Sequence, residues 1–258
     1  MRNNKYNPIQ VEGGYESGEL FNVVISGRVA CFTQPEFTAE RFSSLIPSHS
    51  AANGILKAFL SKYGMSYSIK YLGFLTIPQH INIVINEITN FGNGKKPVNV
   101  SSHRTLRNTH ALANVKYIMG FRIFTENSID LGKFSNMLNR RLPKITNDDS
   151  LGNAGGTWNH IPYLGIKEYV CKVNRCNPSD VEPEDKRFPI ATHNVEGENI
   201  RTVDYTVPLG ISFYGTDYDD STNYFTPMFI SNGLVTYPSW PEVKKQGIIL
   251  RTKNVATA

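Results

Sequence analysis

The sequence predicts an α+β fold, and three observations carry the prediction. Alternating apolar runs recur between Phe21 and Val173, as half-buried strands require. Two segments, Ser50 to Tyr63 and Asp130 to Arg141, instead repeat apolar residues at helical spacing. After Cys176 only short β runs follow, with few helix signals. Over residues 19–175 the order is β-α-β-(hairpin)-β-α-β, that of a ferredoxin-like or RRM-like domain with a β-hairpin arm inserted near 78–100. Residues 176–258 read as a small antiparallel β region. Residues 1–18, with little apolar pattern, read as a loose N-terminal extension.

Taken in order, Phe21 to Val29 alternates around Gly27, which predicts a strand with a bend or bulge. Ala51, Ile55, Leu56, Phe59 and Leu60 define the first helix, with Ser48 or Ser50 as N-cap. Tyr67 to Leu75 alternates as a second strand, and Pro78 to Ile88 reads as a further strand or hairpin arm. Thr89 to Lys96 is a loop rich in Asn, Gly and Lys. Ala111 to Phe124 is a long β run. Leu131, Phe134 and Leu138 place a helix over Asp130 to Arg141, with Arg140 and Arg141 where the helix dipole favours cations. Asn147 to Asn159 reads as an exposed loop and Ile161 to Val173 as another strand. Beyond it, β segments are expected at Thr202–Tyr205, Ile211–Tyr214, Tyr224–Ile230 and Leu234–Tyr237. Asn232-Gly233 marks a hairpin turn between the last two.

The chain has 258 residues, fitting one elaborated domain or two small ones, and a net charge of +5. Charge is unevenly placed: residues 95–144 hold ten Lys or Arg against two acids, whereas residues 178–220 hold ten acids against three bases. The basic block reads as a polyanion footprint; its alternative is a solvated face balanced by the acidic region. Asp217-x-Asp219-Asp220 reads as a solvated loop, since the calcium-loop pattern is not met. Three cysteines argue against a disulfide scaffold, and Cys171-x4-Cys176 lacks a second pair at zinc spacing, so neither metal nor cofactor is expected. The polar stretch Met1 to Asn7 predicts no secretory leader, and no apolar run approaches the roughly 20 residues that span a bilayer. The reading is a cytoplasmic protein. Phosphate-loop, dinucleotide, zinc-protease and serine-hydrolase motifs do not occur.

Two segments carry chemistry. Strand, polar loop with Arg41, then Pro47-Ser48-His49-Ser50 at a helix start is an arrangement suited to an anion, because first-turn N–H groups point outward. Arg104-Thr105-Leu106-Arg107-Asn108-Thr109 sits just before a strand; its arginines suit adjacent phosphates, and Asn108 or Thr109 suits a base edge or a 2′-OH.

The run from Gly27 to Arg41, Ala30-Cys31-Phe32-Thr33 with Pro35-Glu36 and Glu40-Arg41, together with Pro47-Ser48 and Ala51-Ala52-x-Gly54-Ile55-Leu56-x-Ala58, resembles the CRISPR-associated Cas-five family, Dvulg subtype. Arg104-x-x-Arg107-Asn108-Thr109, Leu164-Gly165-x-Lys167-Glu168-Tyr169 and the stretch Phe225 to Tyr237 extend the resemblance. It implies an RNA-binding subunit of a type I CRISPR surveillance complex (Cascade) that holds the 5′ handle of the CRISPR RNA. The implied partners are that RNA, the backbone and large subunits, and target DNA through the complex. The implied RNA-binding residues are Arg41, Ser48, Asn53, Arg104, Arg107, Asn108, Arg140 and Arg141.

The same resemblance offers a second reading. Processing members cleave precursor RNA with a Lys-His pair at the start of the second helix and an aromatic near the end of the first. Here Lys133 takes the Lys position as the catalytic candidate, but Phe134 occupies the His position and cannot transfer a proton. Tyr63 lies two or three residues out of register, and His103 and His110 are the remaining imidazole candidates. A third reading is a generic RRM-like single-strand binder using Tyr117, Phe121 and Tyr169 on an open sheet face.

Overall fold

The computed structural model describes residues 8–34, 37, 40–88, 104–142, 159–217, 222–246 and 248–249. The expected loops at 89–96 and 147–158, together with Lys95, Lys96, His103, Asp219 and Asp220, lie outside them.

The fold is mixed α and β, mostly antiparallel sheet with few helices. Strands β1 (Ile9–Val11) and β2 (Gly14–Glu16) open the described chain, followed by β3 (Phe21–Ala30), β4 (Phe32–Thr33) and β5 (Arg41–Ser44). Helix α1 (His49–Lys57) leads to β6 (Met65–Thr76), β7 (Gln79–Ile88) and the 22-residue β8 (Arg104–Thr125). Helix α2 (Leu131–Arg141) and β9 (Lys172–Arg175) follow. The C-terminal part holds β10 (Ile190–Val195), β11 (Glu198–Val203), β12 (Val207–Asp217), β13 (Thr222–Ile230), β14 (Leu234–Thr236), α3 (Trp240–Gln246) and β15 (Ile248–Ile249).

The long strand β8 organises the molecule. Its C-terminal two-thirds lies between β3 and β6, β9 pairs the outer edge of β3, and β14 pairs the outer edge of β6, all antiparallel. Its N-terminal third pairs β7 from Gln79↔Ala113 to Ile88↔Arg104, which makes the expected arm a two-stranded ribbon. Arg104 to His110, expected to precede the strand, is therefore inside it.

Both faces of the sheet are buried. On one, Val23, Ile25, Tyr67, Tyr117 and Phe121 pack with Ile55, Leu56, Phe134 and Leu138 of the helices. On the other, Val24, Tyr71, Leu75 and Ile118 pack against Val181 and Ile200. A register shift between Ile69 and Tyr71 changes the phase of β6, so that Ile69 faces the first core and Tyr71 the second. Tyr71 lies directly over Gly120, where a Cβ would overlap the ring, and its hydroxyl donates to Asn22 Oδ1 at 2.6 Å.

Several expectations need correction. Residues 9–16 are not loose: β1 and β2 form a hairpin, and β2 extends the sheet beside the end of β8. Gly27 makes no bulge, since the β3–β8 register runs through it unshifted; the missing side chain leaves room for Leu164. Helix α1 stops at Lys57 rather than Tyr63, because Phe59 and Leu60 N–H both turn back to Leu56 O. Ile161 to Val173 is no continuous strand. Gly165, at φ +84°, turns the chain against the Cys31 carbonyl, and only a Tyr163↔Val170 bridge precedes β9. The Asn232-Gly233 turn is present, with φ of 50° and 78°, but the strands it joins part into different sheets. Helix α3 was unexpected.

Candidate nucleic-acid interface

The start of α1 is fixed by Ser48, whose extended backbone and side chain cap the helix: Oγ accepts the Ala51 N–H at 3.1 Å. The cleft in front of it, lined by Thr33, Gln34, Ser48, Phe213 and Tyr237, has a volume of about 170 Å³. Ligand pockets usually run from roughly 300 Å³ upward, so this cleft is small for one. The C-terminal part closes it: Tyr237 donates to Pro47 O at 2.7 Å, and His49 stacks on Tyr214 with centroids 4.6 Å apart. His49 is buried, and that burial, with the Lys57 charge second, lowers its pKa to about 4. Sequence reasoning passed over His49 because nothing local signals that Tyr214 and Trp240 converge on it.

Asn53 is also buried, and its amide is fully engaged with one strand residue. Nδ2 donates to Tyr67 O at 2.6 Å and Oδ1 accepts the Tyr67 N–H at 3.0 Å. It fastens α1 to β6, so the structure gives this member of the expected RNA-binding set a structural role. Replacing Asn53 with alanine leaves two buried backbone groups unpaired and costs about 2 kcal/mol in urea unfolding; an unchanged midpoint would refute the role.

Arg41, Arg107 and Asn108 come together through tertiary pairing. Strand β5 runs parallel to the N-terminal third of β8, with Arg41↔Thr109 and Phe42↔His110 in register. Alternation divides the groups between two faces. Arg41, Arg107 and Thr109 share one; Phe42, Arg104, Asn108 and His110 share the other. Asn108 Nδ2 donates to Glu40 Oε1 at 3.3 Å. Thr109 is fully buried, so of the two residues expected to suit a base edge only Asn108 is exposed.

The basic block is partly spent within the fold. Lys116 pairs with Glu184 of the acidic region. Arg122, nearly buried, pairs with Glu196 at 2.7 Å and donates to Ser17 and Gly18 carbonyls. Arg141 donates to Phe59 O and Asn159 Oδ1, both at 2.8 Å, pinning α2 to the end of α1. Lys116 and Arg122 thus meet acids of the 178–220 region, as the balanced-charge alternative requires, whereas Arg141 meets a carbonyl and an amide. Arg140 is exposed beside it. Asp217, read as part of a solvated loop, pairs with Lys244 at 2.6 Å. Burial pushes the Cys171 and Cys176 thiols up to about 12, and no metal-binding cluster occurs among the described residues. The expected stacking face is closed, because Tyr117 and Phe121 lie beneath the helices. Among the described residues no helix is long and apolar enough to cross a membrane.

No family model matches the chain. The curated Thermus thermophilus protein named CRISPR pre-crRNA endoribonuclease Cas5d is 30% identical over 176 residues, covering 67% of this chain and 68% of that one. The chain belongs to the CRISPR-associated Cas5 family. A crystal structure of a CRISPR-associated protein aligns with a TM-score of 0.57 at 19% identity, covering 90% of this chain and 97% of that one. A functionally uncharacterized Streptococcus mutans protein gives 0.57 at 18% identity, covering 92% and 100%. At these identities the likeness is one of fold.

Within this Cas5 chain, Lys133 is exposed on the first turn of α2, whereas Phe134 beside it is a core residue. His110 cannot stand in for the missing imidazole. It lies 15 residues before the end of β8, roughly 50 Å of extended strand from the side on which α2 begins. Tyr63 is fully exposed, and no hydrogen bond or ion pair joins it to Lys133 among the described residues.

Proposed function

We propose that this chain is the RNA-binding subunit of a CRISPR surveillance complex, holding the 5′ handle of the guide RNA where β5 meets the arm. The observation that carries this reading is the parallel pairing of β5 with β8, which sets Arg41 beside Arg107, more than 60 residues away in sequence, on one face at the root of a two-stranded ribbon that carries Asn108 and Arg104 on the other. Ser48, Arg104 and Arg140 complete the proposed contact set, while Arg141 is engaged within the fold.

The strand order β9-β3-β8-β6, with α1 and α2 on one face, supports a ferredoxin-like frame for residues 19–175, with the C-terminal β region as an accessory part. The proposed partners are the guide RNA, the backbone and large subunits, and target DNA through the complex, in the cytoplasm. The arm, extended and exposed, suits contact with a neighbouring subunit.

The exposed Lys133 and the named activity of the Thermus relative favour a second reading, metal-independent cleavage of precursor RNA. Cleavage needs a base for the 2′-OH and a cation or acid for the phosphate and leaving oxygen. Lys133 supplies a cation, while the core position of Phe134 removes the partner.

One experiment separates the readings. The purified chain is incubated with its repeat RNA in EDTA, and the product is run on a denaturing gel beside Lys133→Ala. Binding without a cut is expected. A single cut that vanishes in the variant would establish the nuclease instead. In parallel, Arg104→Ala should weaken binding and reduce the slope of log affinity against log salt by about one unit. A slope equal to that of the wild type would remove Arg104 from the contact set.

A further inference from the structure

Four rings meet at the root of the arm. The Phe42 centroid lies 5.4 Å from Phe37, 5.7 Å from His80 and 5.5 Å from His110, with ring planes tilted by 31 to 39°. The cluster is on the surface: Phe37 is 47% exposed and Phe42 37%. Single exposed apolar residues are ordinary, but contiguous aromatic ones mark a binding surface. We propose that this cluster, centred on Phe42, is a stacking site for one unpaired nucleobase of a bound RNA.

Three features support a base as the occupant. Pairing on both sides of β8 sets the backbone positions of Phe42, His80 and His110: Phe42 faces His110 across one ladder, and Asn82 faces it across the other. The edge of the platform carries hydrogen-bonding groups suited to a base rim. Glu40 lies 3.8 Å from His110 Nε2 and accepts from Asn108, and Asn82 is exposed on the same face. A carboxylate accepts from the amino groups of guanine, cytosine or adenine, and an amide serves either kind of edge. Finally, Arg104 shares this face six residues further out along the ribbon, roughly 20 Å away, where the phosphate of a nucleotide several positions along the strand would lie. Every base has a π-face, so such a site binds without strong sequence preference. A protein partner would call for a continuous apolar patch, whereas Val84 and Leu106 on this face are interrupted by Asn82, Asn86 and Asn108.

The proposal rests on the RNA-binding reading, and the test keeps the two apart. A single-stranded RNA of about 12 nucleotides, mixed in sequence, carries one 2-aminopurine walked along its length. Titration with the full chain should quench the probe strongly at one position. Phe42→Ala should abolish that quenching and weaken binding about tenfold, the loss expected for one stacked base. Its salt dependence should stay that of the wild type, because no phosphate contact is removed. Phe42→Trp should retain both signals. His110→Ala, altering an exposed ring, should reproduce the effect in part and guards against a folding defect at Phe42. If Phe42→Ala and His110→Ala bind and quench as the wild type does, the stacking site is overturned while the RNA-binding reading stands. If the wild-type chain binds no RNA, both fall.

Discussion

Truncating Phe121 to alanine should cost about 4 kcal/mol of folding stability, the largest single-residue effect expected in this chain. Phe121 is fully buried in the C-terminal part of β8, between β3 and β6. It stacks on Phe21 at 5.6 Å and takes the edge of Tyr67 at 5.4 Å. Those neighbours belong to β3 and β6, which are held in place by their own ladders with β8 and cannot close over the space. The cost is therefore transfer energy plus an open cavity. Domains of this kind are stable by only about 5–15 kcal/mol, so a large share of the total is at stake. Urea unfolding should show a lower midpoint at unchanged slope. A loss below about 1 kcal/mol would mean that the core collapses around the site and that the three-strand packing is softer than described.

The chain should also lose stability on mild acidification, through His49. Its imidazole is buried against Tyr214, Tyr237 and Trp240, and its pKa falls from 6.5 to about 4. Between those values the unfolded chain binds a proton that the folded chain refuses, so stability falls as pH drops from 6.5 towards 4. At full extent the penalty is on the order of 3 kcal/mol. His49→Phe keeps an aromatic ring on Tyr214 and removes the proton. Near pH 7 the two proteins should melt alike; at pH 5 the variant should be the more stable. Parallel melting curves across this range would show that His49 does not titrate on unfolding.

Much of the frame was legible in the sequence because it is written in local periodicity. The alternation from Ala111 to Phe124 marks the C-terminal two-thirds of β8, and the spacing of Leu131, Phe134 and Leu138 marks α2 almost to the residue. Ser48 announced the start of α1 by its chemistry alone. One local signal was present and passed over. Ser239-Trp240-Pro241-Glu242 is a capping box with proline in the first turn, and Ser239 N–H and Oγ do donate to Glu242 at 2.7 and 2.8 Å. The strand expected over Ile161 to Val173 failed for the opposite reason. Its alternation is real, but Gly165 adopts a left-handed backbone that no strand contains.

The candidate site was only half legible. Arg41, Arg107 and Asn108 were identified as residue types, yet their convergence depends on β5 pairing parallel to β8, a contact between segments that periodicity treats separately. Phe42 drew no notice, since a lone phenylalanine after an arginine reads as core; its exposure and its contact with two histidines follow from the same pairing. Asn53 shows the converse. An asparagine near a helix start reads as a ligand group, and only packing against β6 commits both ends of its amide to Tyr67.

By itself the sequence determined the family, the long strands, the starts of the first two helices and a phenylalanine where the resemblance implies a histidine, because each is carried by residue identity or short-range spacing. Only the tertiary structure decided which cations remain for a ligand. Lys116, Arg122 and Arg141 differ from Arg104 not in chemistry but in what the chain brings beside them. A carboxylate or carbonyl far along the chain has no trace in local pattern, and the electrostatic fate of a charge is set by distance in space.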